Sequence, residues 1–152
     1  MITTQELEKI IGTGIQYPLS FSNNGQNELL ELQSGIGVIN QSIFTILSTP
    51  IGERFNNPEF GSNLNTIIFE PNDNITKDLC YYYTVTALSR WEKRITITGI
   101  DFIYNSNDDH FIGMYIKYLI NETNIPGSYV FPFSVGGEPM SSLNTGTVQL
   151  GL

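Results

Sequence analysis

The sequence predicts an α+β fold, with N-terminal helices packed on one face of a small antiparallel C-terminal sheet. Three observations carry this. Apolar residues recur at three- and four-residue spacing in the first two-thirds of the chain, and from Ile95 the period changes to two. The helical segments precede the strands rather than alternating with them, which favours an antiparallel meander over parallel βαβ units. At 152 residues one domain is expected, mainly helical over 1–93, antiparallel strands over 94–135 and an irregular tail over 136–152.

Thr3 and Glu6 have capping-box spacing, in which a hydroxyl and a carboxylate satisfy two helix-terminal amides. Leu7, Ile10 and Ile11 follow as one apolar face until Gly12 ends the short helix. Gly12 to Asn27 is punctuated by Gly, Pro, Ser and Asn and reads as loop, with a brief extended piece at Leu19–Phe21. Glu28 to Gln33 alternates weakly, as a short strand or as a linker into the next helix. Ser34 is the expected N-cap of the second helix, whose stripe is Ile36, Ile39, Ile43 and Leu47, widened by Val38 and Ile46. Pro50 sets its end.

A third, short helix is expected over Asn63–Phe69, with Leu64, Ile67 and Ile68 on one face. The longest helix, about Ile75 to Trp91, follows Pro71. Ile75, Leu79, Tyr82 or Tyr83, Thr86 and Arg90 trace one side of it, and Tyr81, Val85 and Leu88 another. A helix apolar on two sides is expected to be central, between the sheet and other helices. In the strand region, Ile95 and Ile97 alternate with Thr96 and Thr98; Gly99 then breaks the phase, as at a bulge, before Ile100, Phe102 and Tyr104 resume it. Asn105 to His110 reads as a polar turn, Phe111 to Ile120 as a second strand and Asn121 to Gly127 as a loop. Tyr129, Phe131, Phe133 and Val135 form a third strand, placed at an edge because Pro132 has no N–H to donate.

Composition narrows the function. A hydrophobic content of 40% suffices for a core, but only 14% of residues are charged, so Asn, Ser and Thr must supply the polar surface. Such a surface costs little to desolvate and suits one covered by partners, although a lineage rich in Asn and Ile would look the same. The net charge of −8 argues against nucleic acid or an anionic membrane as the partner, because neutralising phosphates requires clustered Lys and Arg. Lys77, Arg90, Lys93 and Arg94 do cluster, and nothing basic follows Lys117. The single Cys80 lies in a helical pattern and reads as a small buried residue, without an internal disulfide partner. The first ten residues resemble no signal peptide, and no apolar run is long enough for a bilayer span.

The catalytic inventory is thin. His110, the only histidine, sits beside Asp108 and Asp109 in a polar turn without the spacing of a metal motif. No nucleophile elbow, zincin, P-loop or dinucleotide fingerprint occurs. We therefore expect no catalytic residue, no metal and no cofactor.

Two segments are dense in residues that fix geometry. The first, Thr49 to Pro71, reads T-P-I-G-E-R-F-N-N-P-E-F-G-S-N-L-N-T-I-I-F-E-P, with Gly52, Glu53, Arg54, Pro58, Phe60, Gly61, Glu70 and Pro71 as its marked positions. The second is Arg90-Trp91-Glu92-Lys93-Arg94, where a helix runs into a strand. Together they resemble the baseplate wedge, or sheath-initiator, family of contractile phage tails and related injection machines, over roughly Gly12 to Phe102. The family usually reads Trp-Glu-Pro-Arg in the second segment; here Lys93 replaces Pro, which lets the helix run one residue further.

The resemblance implies a structural subunit of the tail baseplate in the virion, assembled in the host cytoplasm, with a fold similar to the sheath handshake domain. It implies docking on wedge proteins through Glu92, Lys93 and Arg94, although a Glu–Arg pair that only stabilises the helix end explains the same residues. It also implies nucleation of the tail sheath protein by strand exchange at the edge formed by Tyr129, Val130, Phe131, Phe133 and Val135. Tail tube or hub proteins are further partners; nucleic acid and membrane are not. The family has also carried a lysozyme label, so a peptidoglycan-degrading enzyme is the alternative. Glu53, Glu59, Glu70 and Glu92 are its carboxylates, and ion pairing or proximity to a helix N-terminus explains Glu53, Glu70 and Glu92 better. A tube-end or connector protein, or a secretion-system homologue, are the non-enzymatic rivals.

Overall fold

Four short strands form two antiparallel ribbons, two of them inside the segment 12–27 that reads as loop and two where Glu28 to Gln33 alternates weakly. The structure, a computed structural model, describes residues 9–23, 28–71, 73–105 and 108–134. Residues 9–11 are helical, with Ile11 buried, and Gly12 ends the turn; the capping pair Thr3–Glu6 and Leu7 lie outside the described residues. β1 (Thr13–Ile15) pairs with β4 (Leu32–Ser34), and β2 (Phe21–Asn23) with β3 (Glu28–Leu30). The loop reading is corrected accordingly over Thr13–Ile15 and Phe21–Asn23, and the extended piece expected at Leu19–Phe21 starts at Phe21. Strands of three residues are too short to display a period of two, so nothing in the pattern marks β1. The Ser20 hydroxyl donates to Glu31 Oε2 at 2.6 Å, and Gln41 Nε2 ties the first ribbon to the next helix through Ile15 O at 2.8 Å.

Helix α1 (Ile36–Ser48) buries Ile39, Ile43, Ile46 and Leu47, as its spacing predicts. Its N-cap is Gly35 rather than Ser34. Ser34 pairs with Thr13 in β4, and the reversal from strand to helix is made at a φ of 61°, a region glycine enters without a Cβ penalty. At the other end Thr49 is extended (φ −90°, ψ 117°), the conformation favoured before a proline. The third helix shrinks to one 3-10 turn, Leu64–Ile67, with both end residues buried and Phe69 exposed.

Helix α2 (Asn74–Trp91) starts at Asp73, whose Oδ1 accepts from Thr76 N at 2.8 Å. Of the two apolar sides read from the sequence, only Leu88 is fully buried. Thr76, Cys80, Thr84, Ala87 and Leu88 are buried, while Ile75, Tyr81 and Tyr82 are exposed and Leu79 and Val85 half-buried. α2 touches α1, the 3-10 turn and β5, and close approach on those sides selects small residues over large ones. Burial pushes the Cys80 thiol up to about 11, so it is an inert packing residue.

The main sheet has the order β5 (Ile95–Asn105), β6 (Asp108–Ile120), β7 (Pro126–Ser134), all antiparallel. The expected bulge is present: Ile97 faces Tyr118 and Gly99 faces Lys117, leaving Thr98 unpaired. That extra residue lets Ile95 and Ile97 before it, and Ile100 and Phe102 after it, all face the core. Asp108–His110 belong to β6 rather than to a turn, and β7 begins at Pro126. Val135 and the tail lie outside the described residues. Met114, Ile116, Tyr118, Ile120 and Phe131 line the face under the helices, so the architecture is α+β with helices on one side of the sheet. No helix among the described residues is long and apolar enough to cross a membrane.

Candidate functional site

The two motif segments, far apart in sequence, form one surface. Gly52 N–H donates to Pro58 O at 2.8 Å, and Ser62 N–H to Thr49 O at 2.9 Å, closing the first segment into a compact loop. Ser62 Oγ, buried, donates to Leu47 O at 2.8 Å and so fastens the loop to the end of α1. Gly61 has a φ of 118°, and a Cβ there would lie 2.2 Å from Thr49 O. No other residue type fits that crossing.

On this frame the side chains stack. The Arg54 guanidinium lies 3.6 Å above the centre of the Phe60 ring, and Phe60 lies 5.1 Å from Trp91. Arg90 covers Trp91 at 5.1 Å and pairs with Glu59. The series Arg54–Phe60–Trp91–Arg90–Glu59 therefore joins the loop to the last turn of α2 by cation–π and aromatic contacts. Sequence reasoning marked Arg54, Phe60 and Trp91 but did not bring them together; the only signal was their common resemblance. Glu53 and Glu70 are exposed and stand outside this stack. Pro71 O accepts from Thr76 Oγ1 at 2.7 Å, setting the entry into α2.

Glu92 and Arg94 form a bidentate pair: Arg94 Nε reaches Glu92 Oε1 at 2.7 Å and Nη2 reaches Oε2 at 2.6 Å. Arg94 Nη1 also donates to Ile11 O at 3.1 Å, and Ser42 of α1 hydrogen-bonds the carboxylate. Glu92 is 3% exposed. Burial pushes its carboxyl upward, but the hydrogen bonds from Arg94 and Ser42 and the Arg94 charge outweigh that and hold it below the usual carboxylate range. The expectation that Glu92 meets a partner directly does not fit an inward-facing, fully engaged carboxylate; it links α1, the N-terminal segment and the start of β5. Nor does Lys93 extend the helix, which ends at Trp91 with Glu92 as C-cap. The exposed Lys93 Nζ folds back to Ser89 O at 2.7 Å, and Asn121 receives the turn through Lys93 O and Arg94 O. Lys93 and the outer part of Arg94 are what this corner presents.

The third feature is the β7 edge. Ile120 N–H donates to Ile125 O, so in the same register Tyr118–Gly127, Ile116–Tyr129 and Met114–Phe131 are the hydrogen-bonded pairs. Pro126, Ser128, Val130 and Pro132 lie in the alternate phase, with their backbone groups turned away from β6 towards the free edge. Both prolines fall where no N–H is required. Phe131 is buried and Tyr129 half-buried against the core, whereas Val130 is exposed. Phe133 opposes Ile112 in the ladder.

The family model for "Baseplate wedge protein gp25" matches residues 33–125, well over half of the chain. The chain belongs to the gp25 baseplate wedge family. Among curated proteins none matches it. Among solved structures, a candidate tail lysozyme from Geobacter sulfurreducens is similar, with 27% identity and a TM-score of 0.65, over 73% of this chain and 100% of that one. The fold is shared with a chain of the anti-feeding prophage baseplate (16% identity, TM-score 0.60, 86% of this chain and 90% of that one). It is shared also with one from the post-contraction pyocin R2 baseplate (22%, TM-score 0.51, 67% and 97%). The wedge-family match spans the loop, the aromatic stack and the Glu92–Arg94 pair, and stops at the residue before β7. This wedge subunit is thus a structural component of a contractile-tail baseplate.

Proposed function

We propose that this wedge subunit starts the tail sheath by accepting or donating a strand at the β7 edge, while its helical side docks on the inner wedge. The single observation that carries this reading is the phase of β7. Residues whose side chains face the core point their backbone at β6, and Ser128 and Val130 point theirs at the opposite edge, where no strand pairs among the described residues. Main-chain hydrogen bonds there would hold an added strand, and exposed side chains such as Val130 would set its register. Lys93 and the outer part of Arg94 are the docking groups on the wedge side, with Glu92 holding Arg94 in place. In this reading the chain acts as one wedge domain similar to the sheath handshake domain. It resides in the virion baseplate after assembly in the host cytoplasm, against wedge proteins and sheath, with tube or hub proteins nearby.

Val130→Pro tests it. The Val130 N–H faces outward, so the substitution leaves the β6–β7 ladder whole and removes only a donor at the free edge. Tails carrying it should have complete baseplates and tubes without sheath. Sheathed tails of normal length would sink the strand-addition reading.

The Geobacter neighbour raises a second reading, peptidoglycan cleavage. Glycoside hydrolysis needs one carboxyl with a raised pKa, and the most buried one here, Glu92, is held ionised by Arg94. Release of muropeptides by the purified chain, lost in Glu53→Gln or Glu92→Gln, would restore that reading.

A further inference from the structure

We infer that Phe55 and Arg54 form a preorganised anchor that seats in an apolar, acid-rimmed pocket on another protein of the baseplate. The inference rests on membership of the wedge family and not on sheath nucleation. Every residue from Ile51 to Glu59 is exposed, and Phe55 is 98% exposed. Ile51, at 49%, is the other exposed large hydrophobic side chain on this loop. An aromatic ring held in water forfeits all the burial that its area offers, yet this ring is held on a loop closed by several backbone hydrogen bonds.

Asn57 N–H donates to Arg54 O at 3.2 Å, so Phe55 occupies the first corner of a hydrogen-bonded turn. Phe60 N–H donates to Asn57 O at 3.1 Å, and Gly52 N–H to Pro58 O closes the base. The stack on Phe60 and Trp91 then clamps Arg54 beside the tip. A rigid loop loses little conformational entropy on docking, which makes an exposed aromatic on such a loop an effective binding hot spot.

Charge identifies the partner's chemistry. Arg90 holds Glu59 and Arg94 holds Glu92, whereas Arg54 pairs with no carboxylate among the described residues. Its guanidinium lies 3.6 Å over the Phe60 ring and the residue is exposed, which leaves N–H donors for bidentate carboxylate recognition. The complementary surface is an apolar pocket for Phe55 with an Asp or Glu at its rim. A second copy of this chain would have only the exposed Glu53 and Glu59 of the same loop to offer Arg54 and shows no apolar pocket beside them to seat Phe55 among the described residues, so it is kept as an outcome of the test. A lipid surface fits poorly, because the chain carries a net charge of −8.

The test places p-benzoylphenylalanine at position 55 of the full chain and irradiates assembled baseplates. The expected product is a cross-link to a different baseplate protein, at a segment that mass spectrometry shows to contain Asp or Glu. Against that protein, Phe55→Ala should weaken Kd by about 30-fold or more, with Tm unchanged because the ring packs against nothing. Arg54→Glu should weaken it further than Arg54→Gln, and reversing the partner's acidic residue to Arg should restore binding to Arg54→Glu. A cross-link to a second copy of this chain, no protein cross-link, or wild-type affinity in Phe55→Ala would overturn the inference. Loss of sheath growth in Val130→Pro with the position-55 cross-link retained separates this contact from the sheath contact.

Discussion

The ring of Phe60 sits 5.1 Å from the ring of Trp91 at an interplanar angle of 54°, and this contact makes one surface of two remote segments. Phe60 belongs to a loop stapled to the end of α1, and Trp91 is the last residue of α2. Immediately after Trp91 the chain turns through Glu92, whose carboxylate is bonded to Ser42 in α1 and to Arg94 at the head of β5. The aromatic pair and the ion pair therefore brace the same helix end from two sides. Exposed faces at this corner keep a fixed relation to the sheet, as an assembly subunit requires.

Arg94→Glu should destabilise the fold. Were the pair exposed at both ends, reversal would cost roughly 0–1 kcal/mol. Glu92 is buried, however, and losing its partner leaves an uncompensated carboxylate, which costs about 3–5 kcal/mol. Urea denaturation of Arg94→Glu and Arg94→Lys measures this, with Lys expected to lose less because it keeps the charge but not the fork. A reversal mutant as stable as wild type would make the pair a surface feature.

The same pair sets a pH dependence. Glu92 has a lowered pKa in the fold, so its contribution to stability is complete above the unfolded value of about 4.3 and is lost as pH falls through the lower folded value. Thermal melts from pH 7 down to pH 3 should show wild type losing Tm in the acid range more steeply than Glu92→Gln. Parallel curves would mean that Glu92 is not tied to Arg94 in solution.

Core substitutions along α2 should rank by the observed burial rather than by apolarity. Leu88→Ala, at a site with no exposure, should cost about 2–5 kcal/mol, and Leu79→Ala, half-buried, distinctly less. Thr84→Val removes a buried hydroxyl that donates over 3.7 Å to Met114 Sδ, a weak acceptor. It should change stability by less than about 1 kcal/mol. Chemical denaturation of the three variants gives the order directly.

Two glycines of the loop separate strain from collision. Gly52 has a φ of 95° with open space around a would-be Cβ, so Gly52→Ala should cost about 1–2 kcal/mol. Gly61→Ala adds a collision with the Thr49 carbonyl and should cost clearly more, displacing the loop from α1. Equal Tm losses in the two variants would contradict this crossing.

Much of the fold was legible in the residues themselves. The stripe of Ile39, Ile43, Ile46 and Leu47, the stop before Pro50, the bulge at Gly99 and the edge position of Pro132 each follow from a local rule, and each is present. The pairing of the ribbons was not legible, because three paired residues carry no period, and only Glu28 to Gln33 hinted at a strand. The buried face of α2 was not legible either. Its Thr76, Cys80 and Thr84 are small or polar and lie against close neighbours, while the larger Ile75, Tyr81 and Tyr82 face outward.

For the site, the sequence by itself determined the composition and local geometry of the two motif segments. Glycines and prolines at fixed positions, an acidic charge balance and the absence of a catalytic constellation all concern local conformation or composition, and these need no partner to be read. Only the tertiary structure decided which of those residues meet. Phe60 finds Trp91, Arg54 is left with an open edge beside Phe55, and Glu92 turns inward while Lys93 turns out. Such pairings depend on where α1, α2 and β5 converge, and that convergence is set by burial summed over the whole core.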